Sequence, residues 1–125
     1  MSKLTIPSGY PFEEIFGYAR AVRVGDHVFV SGTTARGPDL ERDAYHQACS
    51  ALDIIADALA QAGSGLHHVV RTVVYITDRA DIDAVARAHG HSFAAVRPAS
   101  TLVMVAGLTP TNARVEIEAT AVVQG

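Results

Sequence analysis

Glu116 and Glu118 stand two residues apart on a segment that otherwise alternates with apolar residues, Arg114-Val115-Glu116-Ile117-Glu118-Ala119-Thr120-Ala121. On a strand this spacing sends Val115, Ile117, Ala119 and Ala121 to one face and Arg114, Glu116, Glu118 and Thr120 to the other. A carboxylate in so apolar a neighbourhood either meets water as a surface charge or lines a site where it positions water and moves a proton. The histidine groups His67-His68 and His89-Gly90-His91 invite a metal reading. Neighbouring histidines on a strand point to opposite faces, however, and an i, i+2 pair on a helix diverges, so no metal is expected. His89 falls on an apolar helical stripe and reads as a satisfied core histidine. Cys49, the single cysteine, falls beside another such stripe and reads as a small core residue. A reactive thiol would want a basic, partly exposed setting. No nucleophile-elbow motif supports a Ser-His-Asp triad.

The elements that must position these groups belong to one domain spanning residues 1–125, enough to bury a core without disulfides or metal. A formal charge of -3, with Lys3 the one lysine, argues against broad nucleic-acid binding, which needs clustered Lys and Arg. The N-terminus shows no apolar signal segment, and no apolar run approaches the roughly 20 residues that span a bilayer. A cytoplasmic protein without membrane attachment is expected.

Residues 1–11 show no sustained period and read as a loop or arm. A strand is predicted from Tyr18 through Val22 and Val24, turning at Gly25-Asp26 into a return strand from His27 to Ser31 that ends at Gly32. A Gly/Pro loop follows to Asp39. The longest helix is predicted from about 41 to 62, with Ala44, Ala48, Leu52, Ile55 and Leu59 forming its stripe, Ala51 and Ala62 flanking it, and Gly63 as left-handed cap. A third strand is predicted over Leu66 to Thr77. A second helix over Asp81 to Phe93 carries Ile82, Val85, Ala86, His89 and Phe93 inward, with Asp78 or Asp81 capping it. Two strands close the chain: the run after Pro98 and the alternating segment above. The order strand, strand, helix, strand, helix, strand, strand gives an α+β sheet with both helices on one face. Apolar residues occur on both parities of the third strand (Val70, Val74 and Ile76 against Val73 and Tyr75) and of the run after Pro98 (Val103 and Val105 against Leu102 and Met104). Two helices cover only one face, so the second is expected to be buried in a homo-oligomer.

Tyr18 seven residues before Gly25, Val30-Ser31-Gly32, Arg71-Thr72-Val73-Val74-Tyr75-Ile76-Thr77-Asp78, Arg97-Pro98-Ala99 and Val115-Glu116-Ile117-Glu118-Ala119 follow one another along the chain. Together they resemble the reactive intermediate deaminase family (RidA/YjgF-like, also labelled endoribonuclease L-PSP). The resemblance implies a chorismate-mutase-like fold and a homotrimer with small-molecule clefts between subunits, the apolar second face forming a central barrel. It implies cofactor-free, metal-free hydrolysis of enamines and imines to ketoacids and ammonia. Glu116 would position water and Tyr18 would close the pocket. Substrate would be held near Ser31 and Gly32, and along the strand after Pro98-Ala99 at Ser100 and Leu102.

In the deaminase pattern an arginine follows Pro-Ala and pairs with the substrate carboxylate; here Ser100 stands in that place. A charged hydrogen bond to carboxylate is worth about 1.5–3 kcal/mol, and serine offers one neutral donor. Arg97, three residues earlier, falls on the opposite face of an unbroken strand. Weak hydrolysis of 2-iminopropanoate or 2-aminoacrylate is therefore expected. Three readings follow: an enzyme acting on an imine, enamine or related electrophile; a ligand-binding or chaperone-like trimer; and an endoribonuclease, against which the acidic balance counts.

Overall fold

The computed structural model describes residues 2–124. Its strands are β1 (Lys3–Ile6), β2 (Ala21–Val24), β3 (His27–Thr33), β4 (Val69–Ile76), β5 (Ala99–Met104) and β6 (Val115–Val122). Its α-helices are α1 (Phe12–Phe16), α2 (Ala44–Gln61) and α3 (Ile82–Phe93). The strands form one sheet in the order β1-β2-β3-β6-β4-β5. Every neighbouring pair is antiparallel except β4 and β5, which are parallel and joined through α3, as a parallel pair requires a crossover. The expected α+β sheet is thus present, with α2 and α3 packed together on one face.

Apolar periodicity explains that face. Ala48, Ala51, Leu52, Ile55 and Leu59 of α2 are buried against Val28, Val74, Ile76, Val115, Ile117 and Ala121 of the sheet. The alanines let the helix approach the strands closely, while each buried Leu, Ile or Val contributes roughly 1.5–3 kcal/mol. Asp43 caps α2 by accepting from the His46 N–H at 2.9 Å. Gly63, at φ 78°, ends it as the spacing predicts, with the Ser64 N–H donating to the Leu59 carbonyl. Gln47, fully buried on α2, donates to the carbonyls of Leu40, Arg42 and Asn112 and accepts from the Arg114 N–H. That side chain ties the loop before β6 to the helix. Among the described residues no helix is long and apolar enough to cross a membrane.

Several expectations need correcting. Residues 1–11 are not all loop: β1 pairs with β2, and the Arg20 N–H donates to the Ile6 carbonyl. Ladder bonds rather than an apolar period make this strand, since only Ile6 of its four residues is buried. α1 adds a third α-helix, a single turn closed by Gly17 at φ 79° and too short to show a stripe. β2 begins at Ala21 rather than Tyr18, and α2 at Ala44, after a 3-10 turn over Gly37–Glu41, because Asp43 supplies the cap. The third strand starts at Val69, Leu66–His68 forming a 3-10 turn. On α3, Ala88 rather than Ala86 is buried. Asp78 caps a short 3-10 turn by accepting from the Ala80 N–H, whereas Asp81 makes no cap bond.

Two bulges revise the side-chain parity. The register of β4 shifts between Val69 and Arg71, so Val69 is buried and Val70 turns outward, 43 % exposed. The register of β3 shifts between Val30 and Thr33, so the strand does not end at Ser31 but passes through Ser31-Gly32 and returns Thr33 to the core. Arg114 precedes β6 and does not share the carboxylate face. Its Nε and Nη2 donate to Asp81 Oδ2 and Oδ1, both at 3.0 Å, at the start of α3.

Candidate functional site

The sheet face opposite α2 and α3 holds a cavity of about 550 Å³. Its floor is β6, where Glu116 and Glu118 alternate with the buried Val115, Ile117 and Ala119. The bulge on β3 brings Ser31 and Gly32 to its side, and β4 contributes Tyr75. Its wall is aromatic: Phe12 and Phe16 of α1 stack with ring centroids 5.4 Å apart, and Tyr18 meets both at 6.4 and 6.0 Å. Tyr10 stands on the same wall with the Arg36 guanidinium 3.4 Å over its ring. Thr109 and Pro110, in the loop that Gln47 secures through Asn112, complete the rim.

Glu116 and Gly32 are placed together by sterics. A Cβ at position 32 would lie 2.9 Å from the Glu116 Cδ and 3.0 Å from its Oε2, so the carboxylate occupies the space that a side chain would fill. Burial raises the Glu116 pKa above the usual carboxylate value; the Arg20 charge opposes that rise and Glu118 adds to it. Among the described residues Glu116 makes no side-chain hydrogen bond, whereas Glu118 accepts one from the Tyr75 hydroxyl, which raises the Tyr75 pKa. The two carboxylates therefore differ in role: one is tied to a phenol, and the other is a cavity-facing base with raised proton affinity. The Ser31 hydroxyl donates to the Ala19 carbonyl at 2.6 Å, clasping the bulge to the chain before β2.

Of the predicted site residues, Glu116, Tyr18, Ser31 and Gly32 line this cavity and Ser100 and Leu102 do not. Ser100 pairs with Thr72 and Leu102 with Val74, which puts both on the helix-side face of β5 at the free edge of the sheet. The Thr72 hydroxyl donates to Ser100 Oγ at 2.7 Å and lies 2.8 Å from His89 Nε2. His89 is thus a bonded, half-buried histidine, its pKa lowered by burial. Arg97 lies outside β5, held at φ 58° after α3, where its N–H donates to the Phe93 carbonyl. Among the described residues no group of three or more His, Cys, Asp or Glu is arranged to hold a metal ion.

Sequence reasoning missed the aromatic wall and Arg20. Arg20 is 5 % exposed and lines the cavity beside Tyr18. Its Nη1 donates to the Gly32 carbonyl and Thr33 Oγ1, both at 2.9 Å, and so grips the bulge. An arginine at the foot of an exposed-looking hairpin carries no local sign of burial. Tyr75 did carry a sign of its place, since it shares the parity of Val73 and so faces away from the core.

Known proteins share this sequence pattern and this fold. The profile of the family described as Endoribonuclease L-PSP matches residues 11–123. A protein of Streptomyces coelicolor is 43% identical over 116 residues, covering 90% of this chain and 87% of its own. The human 2-iminobutanoate/2-iminopropanoate deaminase is 30% identical over 109 residues, covering 84% of this chain and 79% of that protein. The crystal structure of a YjgF/YER057c/UK114 family member from Mycobacterium tuberculosis superposes with a TM-score of 0.91 at 43% identity, covering 98% of this chain and 100% of that one.

Proposed function

Because the chain belongs to the endoribonuclease L-PSP family, the YjgF/RidA group, we propose that it hydrolyses an imine or enamine in the aromatic-walled cleft, with Glu116 as its acid–base group. The observation that carries this reading is Glu116 itself: half-buried, raised in pKa, without a hydrogen-bond partner among the described residues, and seated against a glycine that leaves room for it. In the protonated imine, carbon is electrophilic. Water held by the Glu116 carboxylate loses a proton to it while the oxygen bonds to carbon, giving a carbinolamine. Glu116 then returns that proton to nitrogen, and the C–N bond breaks while the carbinolamine hydroxyl gives its own proton back to the Glu116 carboxylate. Ketone and ammonia leave, the ammonia carrying that last proton away as ammonium. An enamine first takes a proton at carbon to become the same imine. A raised pKa suits a group that must accept and return a proton near neutrality.

The aromatic wall favours substrates with a bulky apolar substituent over small imino acids. A nuclease role is not carried over from the family's description, because a polyanion would meet Glu116 and Glu118 on the cleft floor. We place the active form in a homotrimer. Its support is the free edge strand β5, where Leu102, Val103 and Met104 are 37%, 38% and 44% exposed, together with the outward Val70 and Phe29. In such a trimer Ser100 and Leu102 would enter the cleft from a neighbouring copy.

The test generates imines in situ from phenylalanine, leucine and alanine with an amino-acid oxidase and follows their loss by semicarbazone trapping. Wild-type protein should accelerate the loss, more for phenylalanine and leucine than for alanine. Glu116→Gln should lower the rate by about 10²-fold with assembly unchanged. No acceleration with any of the three would leave a binding module in place of an enzyme.

A further inference from the structure

Arg20 and Arg114 present a contrast within one chain. Arg114, at the surface, turns the edge formed by Nε and Nη2 onto both oxygens of Asp81. Arg20, nearly all buried, makes no ion pair among the described residues. Its Nη1 is satisfied by the bulge, but its Nε is buried without any partner. Nη2 reaches only the Tyr18 hydroxyl, at 3.4 Å, too long for a strong bond. A buried guanidinium is costly unless an anion and full hydrogen bonding compensate it. Here the edge best shaped for a carboxylate is the edge left without one. That side chain lies in the wall of the cleft, beside the aromatic group formed by Phe12, Phe16 and Tyr18.

We propose that Arg20 is the anion anchor of this cleft, taking the carboxylate of a ligand on its Nε–Nη2 edge with the Tyr18 hydroxyl donating alongside, and that the ligand's other end is an apolar or aryl group packed on Phe12 and Phe16. This deepens the reading of the cleft given above and rests on it for the location of the site, not for the chemistry. It also supplies, from β2's approach, the cation that position 100 lacks. Burial lowers the Arg20 pKa from its ordinary value, yet guanidinium stays protonated throughout the neutral range. Nη1 remains bound to the Gly32 carbonyl during ligand binding, so the anchor and the glycine beneath Glu116 move as one unit.

The experiment is a binding comparison with the full chain, using 3-phenyl-2-oxopropanoate and 3-phenyl-2-oxopropanamide, which differ only in the charge of the head group. Wild type should bind the acid at least about 10-fold more tightly, the range of one charged hydrogen-bonded pair. Arg20→Gln should bring the acid down to the level of the amide and leave amide affinity within about threefold. Arg20→Lys should keep part of the preference, and Arg87→Gln, on α3 across the sheet from the cleft, should keep all of it. Should the Arg20 variants fail to fold, the Arg20 Nε–H resonance of wild type gives the answer without mutation, shifting with the acid and not with the amide. Equal affinity for the two compounds, no binding of either at millimolar concentration, or an acid preference that survives Arg20→Gln would overturn the anchor. Imine turnover without acid preference removes the anchor alone, and acid preference without turnover removes the hydrolase alone.

Discussion

β6 has two faces, and they differ in what each asks of its side chains. On the helix side Val115, Ile117, Ala119 and Ala121 are at most 4 % exposed and belong to the apolar core cluster. On the cleft side Glu116 and Glu118 stand between a phenol, a glycine and an aromatic wall. One face is specified by volume and burial, so any well-packed set of branched and small residues satisfies it. The other is specified by the space and partners given to two chemically identical groups, and these make Glu116 and Glu118 unlike one another. A strand that fixes its core side firmly thereby holds its chemical side in register, because a one-residue slip would exchange the two.

Substitutions on the two faces should therefore separate stability from turnover. The largest effect is expected from Ile117→Ala, which empties a fully buried site between sheet and helix and should cost roughly 2–5 kcal/mol in chemical denaturation. A loss well under 1 kcal/mol would show that the core face tolerates a cavity. Next comes Gly32→Ala. Its new Cβ meets the flexible end of Glu116 rather than backbone, so the fold should survive while imine turnover falls about 10-fold. In the Glu116→Gln background the same change should have little further effect, and additive losses would detach Gly32 from the carboxylate. The smallest effect is thermodynamic. Burial holds the Glu116 proton more tightly in the folded chain than in the unfolded one, so stability falls as pH rises from the ordinary carboxylate value through the raised one. Glu116→Gln should remove that fall, gaining on wild type at about pH 7.5 and not at about pH 4. A constant difference between the two proteins across that window would mean that the carboxyl is solvated like any surface acid.

The helix face was legible because burial there repeats. The stripe of α2 and the alternation of β6 recur often enough that local period and final packing agree. Half of the cleft was legible for a narrower reason: Glu116, Tyr18, Ser31 and Gly32 lie in the motifs that carry the family resemblance. Arg20 escaped because its burial comes from contacts 11 to 13 positions along the chain, at Ser31, Gly32 and Thr33. α1 escaped because one turn of Phe-Glu-Glu-Ile-Phe has no stripe to read. Val70 was assigned to the wrong face because parity counting assumes an unbroken ladder, and β4 carries a bulge at that point. Ser100 was weighed as the cleft's missing cation, although within one chain its hydroxyl belongs to Thr72.

The bulge in β3 can also be described by counting chain against ladder. From Ala119 to Ile117 the partner strand advances two residues, while β3 advances three, from Val30 to Thr33. The surplus unit lies in Ser31-Gly32, and the sheet would close without it. A deletion there would restore a regular ladder and keep every pairing up to Val30, but it would carry away the carbonyl gripped by Arg20 and the vacant space filled by Glu116. Length at this point is thus free to vary as far as the sheet is concerned and fixed as far as the cleft is concerned. An insertion or loss of one residue here would separate descendants that share the architecture from those that keep the site.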